Sequence, residues 1–332
     1  MTTKSSGWID THVHAVPPAY RTALKKADLG PRIRIPEWSP EMAISMMDRA
    51  GIDGSVVSLS VPGAHLGDDQ AARSLARSVN TEFAEIGALH PRLGAFATLT
   101  LPDVEGSCRE AEYALDVLKL DGIGLLASYG KLYLGDPALD PLMDVLDARG
   151  AAVLVHPNNH PSTQAVHLTV PNFLVEFVFD TTRAAVNLVL SGVTDRYPNI
   201  RFILSHAGGT LPFVSWRIAE IVERQLQVKP FTDHYSIPLL EKAAVPLTRE
   251  DIFARFKRFY YDTALSANAA PLSSLSQIAD PSRILFGSDW PYCSEEMVAD
   301  MQAGLRALPQ AFVTDPQAVK SDNARRMFPR FQ

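Results

Sequence analysis

Residues 151–157 read AAVLVHP and residues 201–209 read RFILSHAGG. In each, a short and nearly continuous apolar run stops at a histidine. Such a run, without the apolar/polar alternation of a half-exposed strand, suits a strand covered on both faces, as in a parallel sheet. The pattern recurs in VVSLS (56–60) and AFATL (95–99). Outward along the chain, β-rich runs fall at Trp8–Thr11, Ser55–Ser60, Gly94–Leu99, Gly122–Ala127, Ala152–His156, Arg201–Ser205, Phe259–Thr263 and Ile284–Gly287. Between them lie stretches with helical periodicity: Pro40–Ala50, Asp69–Leu89, Val104–Lys119, Leu139–Arg149 and Thr182–Tyr197. Strands that alternate with helices make βα units and a parallel sheet. Eight units in 332 residues predict a closed (β/α)8 TIM barrel of class α/β. An open doubly wound sheet is the other arrangement that eight strands allow. Two connections, residues 15–39 and 207–258, are too long for simple loops and read as insertions at the C-terminal face, where barrels keep lids and substrate walls. No Gly/Ser linker, low-complexity tract or fixed-period repeat divides the chain, so residues 1–332 are expected to form one domain.

Composition narrows the function classes. Lys and Arg number 31 against 37 Asp and Glu, a net charge of −6, which disfavours nucleic acid or an anionic membrane as partner. Cys108 and Cys293 are the two cysteines, too few for a disulfide framework. The opening Met1–Trp8 is polar and has no apolar run, and no stretch approaches the ~20 apolar residues that span a bilayer. A cytoplasmic enzyme is expected.

The chemistry sits at the strand ends. The first run continues into Asp10-Thr11-His12-Val13-His14, the fifth ends in His156-Pro157, the sixth in Ser205-His206-Ala207-Gly208-Gly209, and the eighth leads to Ser288-Asp289-Trp290-Pro291. Residues two apart on an extended chain point to one side, so His12 and His14 can reach the same ion. With His156 and Asp289 they make a nitrogen and carboxylate set suited to one divalent cation, Zn²⁺ foremost and Mn²⁺ as well. His206 is then free to move protons. A lone strand-end histidine is more often a packed residue; the four segments together are what point to a metal. Asp262 and Asp10 are read as carboxylates that orient a ligand histidine or the backbone.

The order of IDTHVH, VHP, SHAGG and FGSDWP resembles the amidohydrolase superfamily, in particular the branch of aminocarboxymuconate-semialdehyde decarboxylase and the non-oxidative aromatic-acid decarboxylases. FVFDTTRAAVNLVLSGV (177–193) and RYPNIRFILSHAGG extend the likeness, and MMDRAGIDGSVVSLS and DGIGLLASYG are most similar to 6-methylsalicylate decarboxylases. The resemblance implies His12, His14, His156 and Asp289 as metal ligands and His206 as the catalytic histidine. It also places Arg217 where that family carries an arginine reaching a neighbouring subunit's substrate carboxylate, hence a homodimer or higher oligomer. An intrasubunit salt bridge is the plainer role for Arg217. Binuclear members use a carboxylated lysine at the end of strand four; here that strand reads GIGLLAS and the next lysine is Lys131, which favours one metal.

The expected reaction is loss of CO₂ from a small hydroxylated aromatic carboxylate, such as 6-methylsalicylate to m-cresol, with no organic cofactor. A proton must reach the ring carbon that bears the carboxyl group, and His206 and Asp289 are the candidate donors. Arg183, Arg217, Arg32 and Arg34 are the candidate partners of the carboxylate. Trp290 and Tyr292, with Phe173, Phe177, Phe179 and Trp38, are available for an apolar wall. The competing activities on such a barrel are a lactonase or amidohydrolase and a hydratase. Gly122–Ala127 fits G-x-G-x-x-A but is itself a strand, so no dinucleotide site is expected. SHAGG lacks an accompanying G-x-S-x-G turn, which excludes a serine esterase.

Overall fold

The structure, a computed structural model, describes residues 7–27, 35–165, 169–226, 237–309 and 315–332. Eight strands follow one another around a parallel sheet: β1 (Trp8–His14), β2 (Ile52–Ser58), β3 (Leu93–Thr98), β4 (Gly122–Leu126), β5 (Ala152–His156), β6 (Arg201–Leu204), β7 (Tyr260–Asp262) and β8 (Ile284–Leu285). Each pairs with the next in sequence. The ring closes where Thr11 N–H donates to the Phe286 carbonyl at 2.9 Å and His14 N–H to the Trp290 carbonyl at 2.7 Å. This is the (β/α)8 barrel expected, and it removes the open-sheet alternative. All eight anticipated strands are present, with ends displaced by a few residues. The largest, three residues, fall at the start of β2 and at the end of β1, which runs on through His14 and so carries both histidines within the strand.

The helices follow local signals. In α1 (Pro18–Lys26) and α2 (Pro40–Ala50) proline occupies the first turn. Ser39 accepts a hydrogen bond from Met42 N–H to cap α2, and Gly51 ends it at φ 64°, a left-handed conformation that glycine takes without strain. Asp68 caps α3 (Asp69–Leu89) in the same way. Beyond α4 (Val104–Glu112) the expected helix continues only as a wider turn, Tyr113–Val117, and α5 covers Asp140–Asp147. The helix expected at Thr182–Tyr197 is displaced. It begins earlier, as α6 (Glu176–Leu190), and Gly192 at φ 76° separates it from the short α7 (Val193–Arg196). The apolar period carries across this break because Val193 is also buried, so periodicity alone does not reveal it.

The first long connection carries α1. Arg32 and Arg34 fall outside the described residues, as do His167 and His234. The second carries, among its described residues, α8 (Leu211–Ile221) and the helices Pro238–Glu241 and Arg249–Phe256.

Two apolar layers hold the barrel. The larger lies between strands and helices. The smaller combines Ile9, Val56, Phe96, Ala152, Leu154, Ile203 and Leu285 from the strands with Ala324, Met327, Phe328 and Phe331 from the end of the chain. This C-terminal segment plugs the barrel. The rings of Phe96 and Phe328 meet edge to face at 5.8 Å, and a Cβ added to Gly54 would lie 2.6 Å from the Phe331 ring. The plug was not foreseen from the sequence.

Candidate metal centre

At the opposite, C-terminal end of the strands, four histidines and one carboxylate converge. His12, His156, His206 and Asp289 each offer one ligand atom, all within 4.8 Å of one another. His14 joins them: its Nε2 lies 3.2 Å from His12 Nε2 and 3.0 Å from Asp289 Oδ1. His12 Nε2 is 3.6 Å and His206 Nε2 3.5 Å from the same carboxylate. The group is assembled from β1, the end of β5 and the segments after β6 and β8. The backbone is bent to make it, since His206, Ala207 and Asp289 all have φ between 55° and 61° without being glycine. Strain of this kind costs of order 1–3 kcal/mol per residue and persists where surroundings enforce it.

The outer nitrogens of three rings are held by the protein. His12 Nδ1 lies 2.8 Å from Asp262 Oδ2, His14 Nδ1 3.2 Å from the Ser58 hydroxyl, and His156 Nδ1 donates to the Pro157 carbonyl at 2.8 Å. With Nδ1 so engaged, the Nε2 lone pair of each ring is turned inward, which is how ligand histidines are oriented. Asp262 also accepts the backbone N–H of His206 at 3.0 Å, so one carboxylate places a ring from β1 and the chain after β6. It thus orients both a histidine and the backbone, as expected of it. Asp10 accepts from His12 N–H and Ser288 N–H. His206 Nδ1 is buried and finds no hydrogen-bond partner among the described residues.

Electrostatics divides the group. Burial pushes His156 well below the usual histidine range, helped by the neighbouring imidazoles, and burial also lowers His14; both rings are neutral ligands in waiting. Burial works against His12 too, yet Asp262, with Asp289 and Asp10, raises it to about 9. Burial alone would raise Asp289, but hydrogen bonds from His14 and His206 and the charge of His12 hold it well below the carboxylate range. An ionised carboxylate facing the neutral rings of His14 and His156, all buried, is a donor set that a divalent cation completes, the cation taking the place of the proton on His12.

A cleft of about 400 Å³, counting its open mouth, adjoins His156 and Ser58. Leu59, Leu99, Leu101, Leu126 and Tyr129 line it, and among the described residues no Arg or Lys does. Two aromatic side chains border the histidines: Phe177 stands edge-on to His156 at 5.9 Å and Tyr292 edge-on to His14 at 5.3 Å. Trp290 and Trp38 are buried in the outer core, while Phe173 and Phe179 are largely exposed. Cys293 is buried and its thiol is pushed up to about 12, which leaves it inert. Arg183 is exposed on α6, 3.5 Å from the Tyr133 hydroxyl. Arg217 is exposed on α8 beside Phe213 and Trp216, which are 85% and 59% exposed. Lys131 is exposed at the turn of a two-stranded ribbon, Ser128–Tyr129 with Leu132–Tyr133, away from the end of β4.

Fold and site together define a barrel enzyme of the metal-dependent kind. The Amidohydrolase family profile matches residues 9–330, and the chain belongs to that family. It is 34% identical over 330 residues to a 6-methylsalicylic acid decarboxylase of Penicillium expansum, covering 98% of this chain and 97% of the relative. A solved structure described as an amidohydrolase II superposes with a TM-score of 0.83 at 28% identity, covering 96% of this chain and 99% of the other. The dihydroxybenzoic acid decarboxylase of Polaromonas, solved with bound manganese and the inhibitor 2-nitroresorcinol, has the same fold, with a TM-score of 0.77 at 24% identity over 98% of each chain.

Proposed function

We propose that this protein is a metal-dependent, non-oxidative decarboxylase of a hydroxylated aromatic monocarboxylate such as 6-methylsalicylate, releasing CO₂ and m-cresol. The observation that carries the reading is the cleft beside the His/Asp group, whose leucine lining, with His65 but no Arg or Lys among the described residues, suits a methylated ring better than a second carboxylate. The identity to the Penicillium relative supports the same reaction.

In this reading His12, His14, His156 and Asp289 hold one divalent cation. Their nitrogen and carboxylate donors suit Zn²⁺, expected from the sequence, and equally Mn²⁺, which the Polaromonas structure carries. When bound, such an ion polarises substrate oxygens and stabilises developing negative charge. The protein's own groups manage the proton. His206 Nε2 lies 3.5 Å from Asp289 Oδ2, which sets a ring nitrogen able to carry a proton beside the carboxylate at the centre of the site. Delivered to the carbon bearing the carboxyl group, that proton lets the C–C bond break, return its electron pair to the ring and release CO₂. One proton enters, one CO₂ leaves, and nothing is oxidised. Phe177 and Tyr292 exclude water from that step, and Trp290, buried next to Asp289 in sequence, is the further candidate for the substrate's ring.

The substrate carboxylate needs a cation. Arg217, on an exposed face with Phe213 and Trp216, meets it from a neighbouring copy in a homodimer or higher oligomer; Arg183 is the candidate within the subunit. Among the described residues no helix is long and apolar enough to cross a membrane, and both cysteines are free, in keeping with a reducing, cytoplasmic setting.

The test is incubation with 6-methylsalicylate, following m-cresol and CO₂. Formation of both that stops with a chelator and returns with Zn²⁺ or Mn²⁺ is expected. Hydrolysis of lactones without CO₂ release from any hydroxybenzoate overturns the assignment. His206→Ala should retain the metal while kcat falls about 10²- to 10⁴-fold, the usual contribution of a positioned proton donor.

A further inference from the structure

The segment Asp180-Thr181-Thr182 lies near the start of α6, outside the His/Asp group, yet both of its polar ends reach toward that group's loops. The Asp180 carboxylate is 1% exposed and accepts three hydrogen bonds. The Tyr133 hydroxyl donates to Oδ1 at 2.6 Å, Asn158 N–H to Oδ2 at 2.8 Å, and the Ser128 hydroxyl to Oδ2 at 3.3 Å. Asn158 Nδ2 in turn donates to the Ser128 carbonyl at 2.8 Å. One carboxylate therefore ties the chain just past β4 to the chain just past His156.

Two residues on, Thr182 does the same for the next loop. Its hydroxyl accepts Thr210 N–H at 2.9 Å, lies 2.8 Å from the Thr210 hydroxyl and donates to the Val178 carbonyl at 2.7 Å. The approach is so close that a Cβ on Gly209, at φ 66°, would lie 2.1 Å from the Val178 oxygen. The loop held in this way is the one that begins with His206.

We infer that the start of α6 is a brace that sets the metal-site loops against each other, with Asp180 a positioning residue for His156 and Thr182 one for His206. Neither touches a ligand ring; each fixes the backbone within a few residues of one. A site that must hold donors to within about half an ångström needs such support, and orienting groups behind a metal site are worth roughly 10- to 100-fold in affinity or activity. The inference rests on the metal-dependent reading above.

The experiment compares Asp180→Asn, Thr182→Val and Thr182→Ser with the wild-type protein. Mn²⁺ affinity is measured by electron paramagnetic resonance on metal-stripped protein, and kcat and KM with 6-methylsalicylate. Asp180→Asn should weaken Mn²⁺ binding about tenfold, the lower end of that range. Thr182→Val should lower kcat about tenfold with KM and Mn²⁺ affinity little changed, and Thr182→Ser, which keeps the hydroxyl, should restore it. Should Asp180→Asn fail to fold, Tyr133→Phe removes one donor with the shape kept and should still weaken Mn²⁺ binding a few-fold. Variants that lose only thermal stability, with wild-type Mn²⁺ affinity and kcat, overturn the brace while leaving the proposed function intact. A wild-type protein that takes up no Mn²⁺ or Zn²⁺ overturns the metal reading and this inference with it.

Discussion

At the C-terminal end of the strands the barrel gathers four imidazoles and an ionised carboxylate, bends three non-glycine residues to positive φ and leaves His206 Nδ1 without a partner among the described residues. At the N-terminal end the same strands meet a plug of apolar side chains. There Ala324, Met327, Phe328 and Phe331 pack on Ile9, Val56, Phe96 and Leu285, and the rim is sealed by hydrogen bonds from Arg201 to the Met327 carbonyl and from Arg330 to Asp121. One end concentrates groups that are costly to bury; the other buries surface that favours folding. The comparison teaches that chemistry and stability are divided between the two mouths of one barrel. Strain at the site is tolerable because packing elsewhere enforces the backbone.

That division can be broken by substitution. The largest effect is expected at the polar mouth. Asp289→Ala, or His12→Ala, should remove bound metal and lower turnover at least about a thousandfold, the several kcal/mol a catalytic ion supplies. In Asp289→Ala the unfolding midpoint of the metal-free protein should fall little, since a buried charge leaves with the side chain while Asp262 still pairs with His12. Metal analysis together with scanning calorimetry checks both halves, and an active, metal-free Asp289→Ala protein would end the site assignment. At the apolar mouth Phe328→Ala should cost about 3–5 kcal/mol of stability, the usual range for a buried phenylalanine, with metal content and kcat at 25 °C nearly unchanged. Denaturant melts read the first and steady-state kinetics the second. Loss of metal in step with stability would show that the two ends are not separable. The smallest effect belongs to the rim. Arg330→Ala, which leaves Asp121 with its hydrogen bond from Ala95 N–H, should cost about 1–2 kcal/mol and leave kinetics alone.

Much of the architecture was legible because its signals are local. An apolar run such as AVLV reads as a doubly covered strand wherever it lies, and Ser39-Pro40 and Gly51 bracket α2 by capping chemistry alone. The earlier start of α6 carries no local signal, since Val175 precedes it without a side-chain cap; of Phe177 and Phe179, Phe177 reaches His156. Arg183 and Trp290 show a similar limit. Residue type nominates them for a carboxylate and an aromatic ring, but exposure beside Tyr133 and burial in the core are properties of the packed molecule. The plug carried no motif at all: Met327, Phe328 and Phe331 are ordinary apolar residues until the end of the chain is seen inside the barrel.

By itself the sequence determined the strands, their alternation with helices and the donor residues at their ends, since periodicity and residue chemistry need no distant partner. The tertiary structure alone decided which nitrogen of each histidine faces inward. It also brought Asp262 to His12 across 250 residues and Asp289 to His14 and His206, and it turned the tail into the barrel's floor. The physical reason is that hydrogen bonds and desolvation act through space, between groups that only ring closure brings within reach.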